Sequence, residues 1–167
     1  VTRSGKIKQH MEVGRVVNHC PRWNHNAVGI DLADHFGGLG AGIVTQGKGG
    51  KISKWKPTTP EAYSALYDLV DELCNKFGVR RKALWPSSTP NNKNGWRVGA
   101  YLEGNKKDAK PYNNGKLFDG IVAHGHVTDS RVDGFDGIWY LKLRFEGKDH
   151  NTAFNMMLKE VEKNSYI

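Results

Sequence analysis

The densest concentration of chemistry-bearing side chains lies in FDGIVAHGHVTDSRVDGFDG, residues 118–137, where two histidines, an arginine and several aspartates follow a short apolar run. Ile121, Val122 and Ala123 read as the end of a strand, and His124 stands where that strand gives way to a loop. Side chains two apart on extended backbone share a face, which puts His124 and His126 on the same side. Asp133 follows His124 by nine residues, enough for a loop to return a carboxylate to the same ion. Zinc accepts imidazole nitrogen and carboxylate oxygen, and a catalytic zinc keeps three protein ligands and one open position. His124 and Asp133 supply two such ligands. On spacing alone, a polar loop accounts for the same residues, and a nucleic-acid surface is a further reading.

Residues of this kind need a scaffold. The clearest element is TTPEAYSALYDLVDELCNKFGV, residues 58–79, which is predicted to be a helix. Thr59 suits the N-cap, Pro60 the first helical position, and Glu61 puts a negative charge beside the free amides of the first turn. Leu66, Leu69, Val70, Leu73, Cys74 and Phe77 recur at three- and four-residue spacing as one buried stripe, and Gly78 can end the helix.

Around this helix, Val1–Ile7 and Met11–Val17 read as short extended pieces, the first broken by a turn at Ser4-Gly5. AVGIDLAD, residues 27–34, alternates Val28, Ile30 and Leu32 as a sheet strand does. The glycine-rich run that follows, FGGLGAGIVTQGKGG, lacks the Gly-Lys-Ser/Thr ending of a phosphate-binding loop and reads as turns. Near the end, IWYLKLRF (138–145) alternates as a strand, and TAFNMMLKEVEKN predicts a terminal helix carrying Phe154, Met157, Leu158 and Val161. The resulting expectation is a mixed α/β or α+β fold, a single domain over 1–167 with a central mixed β-sheet flanked by helices.

Residues 85–115 stand apart as a loop-rich insertion of Pro, Asn, Gly and Lys with interleaved aromatics. Trp96, Tyr101 and Tyr112 among Arg97, Lys106, Lys107 and Lys110 could line a groove for sugar or nucleic acid, or simply anchor a long loop.

At 167 residues the chain is long enough for one domain with its own core, and 38% hydrophobic with 25% charged residues is a folded composition. Cys20 and Cys74 are too few for a disulfide framework, and Cys74 falls on the helical apolar pattern as a buried thiol. The net charge of +8 favours polyanionic partners, either nucleic acid or an anionic bacterial cell wall. No window approaches the roughly 18 apolar residues of a membrane span, so no membrane insertion is expected. The opening VTRSGKIKQ lacks the apolar core of a signal peptide.

Several blocks in order strengthen the metal reading. GIVAHGHVTDSRVDGFD resembles the closing signature of type 2 N-acetylmuramoyl-L-alanine amidases, a family whose fold includes the peptidoglycan recognition proteins. RSGKIKQ is similar to that family's Arg-Asp-Gly-x-Ile-x-Gln strand pair, NHCPRWNHNAVGIDLAD to its Trp-His-Ala-Gly to Ile-Gly-Ile-Glu-Leu stretch, and residues 58–79 to its next helix. The resemblance covers most of residues 3–137. It implies that His124 and Asp133 are zinc ligands and that Arg131 polarises the scissile carbonyl. It also implies that His19, Trp23, Asn26 and Asp31 lie near the peptide-binding cleft, with His126 a further substrate-side candidate.

The chain departs from the family pattern in three places. Gly134 follows Asp133 directly, where the family has an intervening proline. The 85–115 loop is longer than usual. The family's first zinc histidine lies upstream of the Arg-Asp-Gly block, so the third ligand is expected from His19, His25 or His10, or from an upstream segment or second chain completing the site.

The implied activity is zinc-dependent hydrolysis of the amide between N-acetylmuramic acid and L-alanine. Bacterial peptidoglycan or a muropeptide would be the substrate, in an endolysin-like, phage-encoded or bacterial enzyme acting at the cell wall. In that reading Arg131, Asp31 and His19 form the catalytic set, His19 doubling as a candidate ligand. The alternative is a non-catalytic peptidoglycan-binding module, and a nucleic-acid binder ranks behind both.

Overall fold

A computed structural model describes residues 1–13, 15, 27–32, 58–83, 119–122 and 135–164, with the backbone alone at 135 and 161–164. Three helices organise these residues: α1 (Pro60–Phe77), α2 (Phe135–Phe145) and α3 (His150–Asn164).

The first helix follows its sequence signals. Thr59, in extended backbone, accepts the Ala62 amide on its side chain, Pro60 opens the helix, and Gly78 closes it in the left-handed conformation. Ala62, Tyr63, Leu66, Val70 and Cys74 form the buried face, while Leu69 and Leu73 are half-buried. Phe77 is 47% exposed, against the expectation that it ends the buried stripe. It lies in the last turn, three residues past Cys74, and Lys76 covers its ring from outside.

The N-terminal turn docks on the start of α1. Gly5 N–H donates to Thr2 C=O and Thr2 N–H to Lys6 C=O, both at 2.9 Å, so the turn expected at Ser4-Gly5 is present. The Thr59 hydroxyl, besides capping α1, donates to the carbonyl of Arg3. Gly5 adopts φ +75°, and a Cβ there would stand 2.9 Å from the Glu61 carbonyl oxygen. A side chain is therefore excluded twice, by backbone conformation and by close approach. In the second extended piece, Arg15 N–H donates to Glu12 C=O at 3.2 Å, a turn that interrupts the expected extension.

The largest departure from expectation is α2. IWYLKLRF reads as a strand by alternation, yet it is helical. In a strand, Lys142 and Arg144 would share the face of Ile138 and Tyr140. In the helix, Ile138 and Leu141 are buried together, as are Tyr140 and Leu143, at the three-residue spacing of one helical face. Lys142 instead lies over the Trp139 ring, and Arg144 lies 4.1 Å from the centre of the Tyr67 ring. Both cations sit in the last turn, where they suit the negative end of the helix.

A tight corner joins α2 to α3. Gly147, at φ +86°, donates to Arg144 C=O at 3.0 Å, and Lys148 N–H donates to Leu143 C=O at 3.1 Å. This crossed pair satisfies the last carbonyls of α2 in a Schellman arrangement. Asp149 then caps α3 with both carboxylate oxygens, accepting the Thr152 amide at 3.0 Å and its hydroxyl at 2.6 Å. The terminal helix is as expected, with Met157 fully buried and Phe154 and Leu158 packed at the edge of the core. Val161 lies outside the side chains described.

The core is the space between the three helices. Among the described residues Tyr63, Tyr140 and Met157 are the largest fully buried side chains, and burying one of Met size contributes about 1.5–3 kcal/mol. Tyr63 sets its ring 5.3 Å from Tyr140 and 5.5 Å from Phe154. Ile30 and Leu32 pack against this core, whereas Val28 is exposed and no strand ladder runs through 27–32 among the described residues. The expected central sheet falls mostly outside the described residues; within them it is represented by one parallel bridge, Ala83 to Ile121. The 85–115 insertion and Cys20 also lie outside. No helix among the described residues is long and apolar enough to cross a membrane.

Two substitutions test this account. Gly5→Ala should destabilise the domain by at least about 1–2 kcal/mol, the cost of left-handed backbone for an L-residue, read as a lower denaturation midpoint at unchanged slope. Asp149→Ala should lower the melting temperature by about 2–4 °C through loss of the cap. The hydrogen bonds from Thr152 hold the Asp149 carboxyl below its ordinary range. Its contribution is therefore present above the ordinary carboxylate pKa and lost as pH falls through the lowered one, so the wild-type to Asp149→Ala difference should shrink in acid melts.

Candidate active site

The stretch that holds His124, His126, Arg131 and Asp133 is fixed at both ends by described residues. At its entry, Asp119 accepts the Arg80 amide at 3.0 Å and the Arg80 guanidinium at 2.9 Å. Ile121 N–H donates to Lys82 C=O at 2.9 Å and makes the parallel bridge to Ala83. The entry is thus registered against the segment that leaves the C-terminus of α1. At its exit, α2 begins at Phe135, and Asp136 in the first turn is only 8% exposed. The Tyr63 hydroxyl, on the buried face of α1, donates to the Asp136 carboxylate.

His124, His126, Arg131 and Asp133 themselves lie outside the described residues, as do His19, Trp23, His25 and Asn26. Asp31 is described: its side chain is exposed, and its backbone carbonyl accepts the Val1 ammonium at 2.6 Å, tying the first residue to this segment. His10 is exposed on the N-terminal segment. Among the described residues no group of three or more His, Cys, Asp or Glu could hold a metal.

Other polar groups in this region have structural partners. Burial pushes the Tyr140 hydroxyl up from its ordinary range, with Arg144 opposing, so it stays protonated. It pairs with His150 Nδ1 at 2.8 Å, while the His150 ring stacks on Phe154. An open recess of about 250 Å³ lies beside Ala83, lined also by Arg81, Lys82, Lys142, Phe145 and Glu146. Arg81 is paired with Asp71 and Lys142 with Glu146, which leaves the recess poorly suited to an anion.

With the ends of the stretch in place, the comparison with known families decides the identity. A family model described as N-acetylmuramoyl-L-alanine amidase matches residues 1–133. The chain belongs to this amidase family. No curated protein and no solved structure matches it. The amidase match contains α1, the bridge at Ala83 and Ile121, and each candidate site residue; its last residue is Asp133. Membership makes this a chain of a hydrolase family, acting on peptidoglycan-type amides. The two helices α2 and α3 lie beyond the matched residues, yet among the described residues they supply six of the ten buried side chains in the core that they share with the amidase helix α1.

Sequence reading missed Tyr63 and Asp136 as partners, because 73 residues separate them. Tyr63 stood in the quoted helix and Asp136 in the quoted motif, but nothing in either linked one to the other.

Proposed function

We propose that the chain hydrolyses the amide between N-acetylmuramic acid and L-alanine in bacterial peptidoglycan, using one zinc ion. The observation that carries this reading is the amidase family match over 1–133, which contains all the residues assigned below. The donor set suits zinc: imidazole from His124, carboxylate from Asp133, and a third imidazole from His19 or His25. Bound zinc would supply Lewis acidity toward water and the scissile carbonyl.

The remaining steps belong to the protein's own groups. Arg131 donates to the carbonyl oxygen as negative charge develops on it, and the gain is larger in the transition state than in the ground state. A guanidinium stays protonated and cannot accept the proton from water. Asp31, exposed in the structure, is one acceptor for that proton; His19 is the other if His25 completes the metal site. Trp23, Asn26 and His126 bind the muropeptide. The basic chain, with its net charge of +8, favours approach to an anionic wall.

Metal analysis of the purified chain in excess zinc should find about one ion per chain, and His124→Ala should lose both the ion and turnover while keeping the wild-type circular dichroism spectrum. The same measurement on His19→Ala and His25→Ala identifies the third ligand. A folded wild-type chain that takes up no zinc and still retains muropeptide would replace hydrolysis with recognition.

Arg131→Ala should lower kcat about 10²–10³-fold with zinc content unchanged, as expected for removal of one oxyanion donor. Equal turnover in the two proteins would remove Arg131 from the site.

A further inference from the structure

We propose that the contact between Tyr140 and His150 is an acid-sensitive latch on the α2–α3 hairpin, closed by the neutral imidazole and loosened when His150 takes up a proton. The latch is independent of the hydrolytic activity proposed above and is built from described residues alone.

The proton count fixes the direction of each hydrogen bond. The Tyr140 hydroxyl meets two side chains, His150 at Nδ1, 2.8 Å away, and Arg144 at Nη1, 3.4 Å away. A guanidinium can only donate, so the hydroxyl oxygen accepts from Arg144 and its one proton goes to His150. Nδ1 is then an acceptor, and the half-buried ring is the neutral tautomer with its proton on Nε2. A second ring proton would sit on Nδ1, facing the hydroxyl. The oxygen would then take donors from two cations, and its own proton would be turned into space that water does not reach, since Tyr140 is 0% exposed. A buried donor without a partner is costly, whereas the neutral ring leaves none at this contact.

The surrounding charges do not reverse this. On α2, Arg144 lies over the Tyr67 ring of α1 and so stays beside the hydroxyl. On α3, His150 is the first residue, at the positive end of the helix, where a further cation is disfavoured. Three carboxylates belong to the same neighbourhood. Asp136, one turn before Tyr140, takes the Tyr63 hydroxyl, and Asp149 takes the Thr152 amide and hydroxyl. Asp68 of α1 acts on the Tyr140 hydroxyl from an exposed position. Attraction from exposed charges such as Asp68 and Asp149 is weakened by water and salt.

Release of the latch reaches beyond the corner. The His150 ring lies roughly parallel to Phe154, 6.2 Å away, and Phe154 meets Tyr63 of α1 at 5.5 Å. A junction that takes only the neutral ring holds fully above the ordinary range of histidine and weakens as pH falls through it. The Asp149 cap does not share this window, because Thr152 holds its carboxyl below the ordinary carboxylate range.

Amide exchange followed by mass spectrometry, corrected for the pH dependence of the intrinsic rate, tests the latch in the full chain at about pH 7.5 and about pH 5.5. Peptides from 138–158 of the wild type should exchange about ten-fold faster at the lower pH, the opening expected on losing a buried hydrogen bond. In His150→Asn the side-chain oxygen replaces Nδ1 as an acceptor that does not titrate, so the acceleration should disappear. Tyr140→Phe keeps the ring and removes the hydroxyl, and should lose it too. The nitrogen-15 spectrum of the wild-type chain, which needs no variant, should show the His150 ring protonated at Nε2 at neutral pH. Equal corrected exchange at both pH values in the wild type overturns the latch, as does a His150 ring protonated at Nδ1. An acceleration kept in full by either folded variant overturns it as well, by assigning the pH dependence to another group.

Discussion

The structure depends on burying one face of α1. Tyr63, Leu66, Val70 and Cys74 form an apolar stripe that water cannot be left to cover, and every other described element is arranged to close over it. The N-terminal turn covers its start, the bridge at Ala83 and Ile121 follows its end, and α2 and α3 cover its flank. The family match ends at Asp133, but this burial does not. Ile138, Tyr140, Leu141, Ala153 and Met157 form one buried cluster with the stripe, so the residues beyond the matched region belong to the same core.

That shared core explains why polar chemistry occurs inside it. A tyrosine hydroxyl and a carboxylate can be buried together only when each satisfies the other, and Tyr63 and Asp136 do so while joining two helices. Tyr140 follows the same rule with His150. These pairs give the packing a definite registry, which hydrophobic contact alone specifies less sharply. A hydrolytic site of the proposed kind needs such registry, because its third ligand would come from the segment of His19 and His25 and the others from the stretch before α2.

Much of this was legible in the sequence where signals were local and redundant. Thr59, Pro60 and Gly78 bracket α1 and agree with its three- and four-residue apolar spacing, and α3 shows the same spacing at Phe154, Met157 and Leu158. IWYLKLRF misled because a short apolar segment with two cations satisfies a period of two as readily as a helix buried between neighbours. The deciding signals stood just outside it: Asp136 in the first turn, Gly147 at the stop and Asp149 at the next start. Of the candidate site, the motif order pointed to the family, while the Tyr63–Asp136 link could not be seen, since no local pattern joins residues so far apart.

The corner at Gly147 and Asp149 has a kinetic consequence. Contacts between α2 and α3 close loops of only a few residues to a few tens, whereas the link from Tyr63 to Asp136 closes one of 73. The entropic cost of loop closure grows with length, and non-local contacts return nothing until it has been met. Closing the helical hairpin therefore carries the smaller loop-closure cost, and joining it to α1 carries the larger.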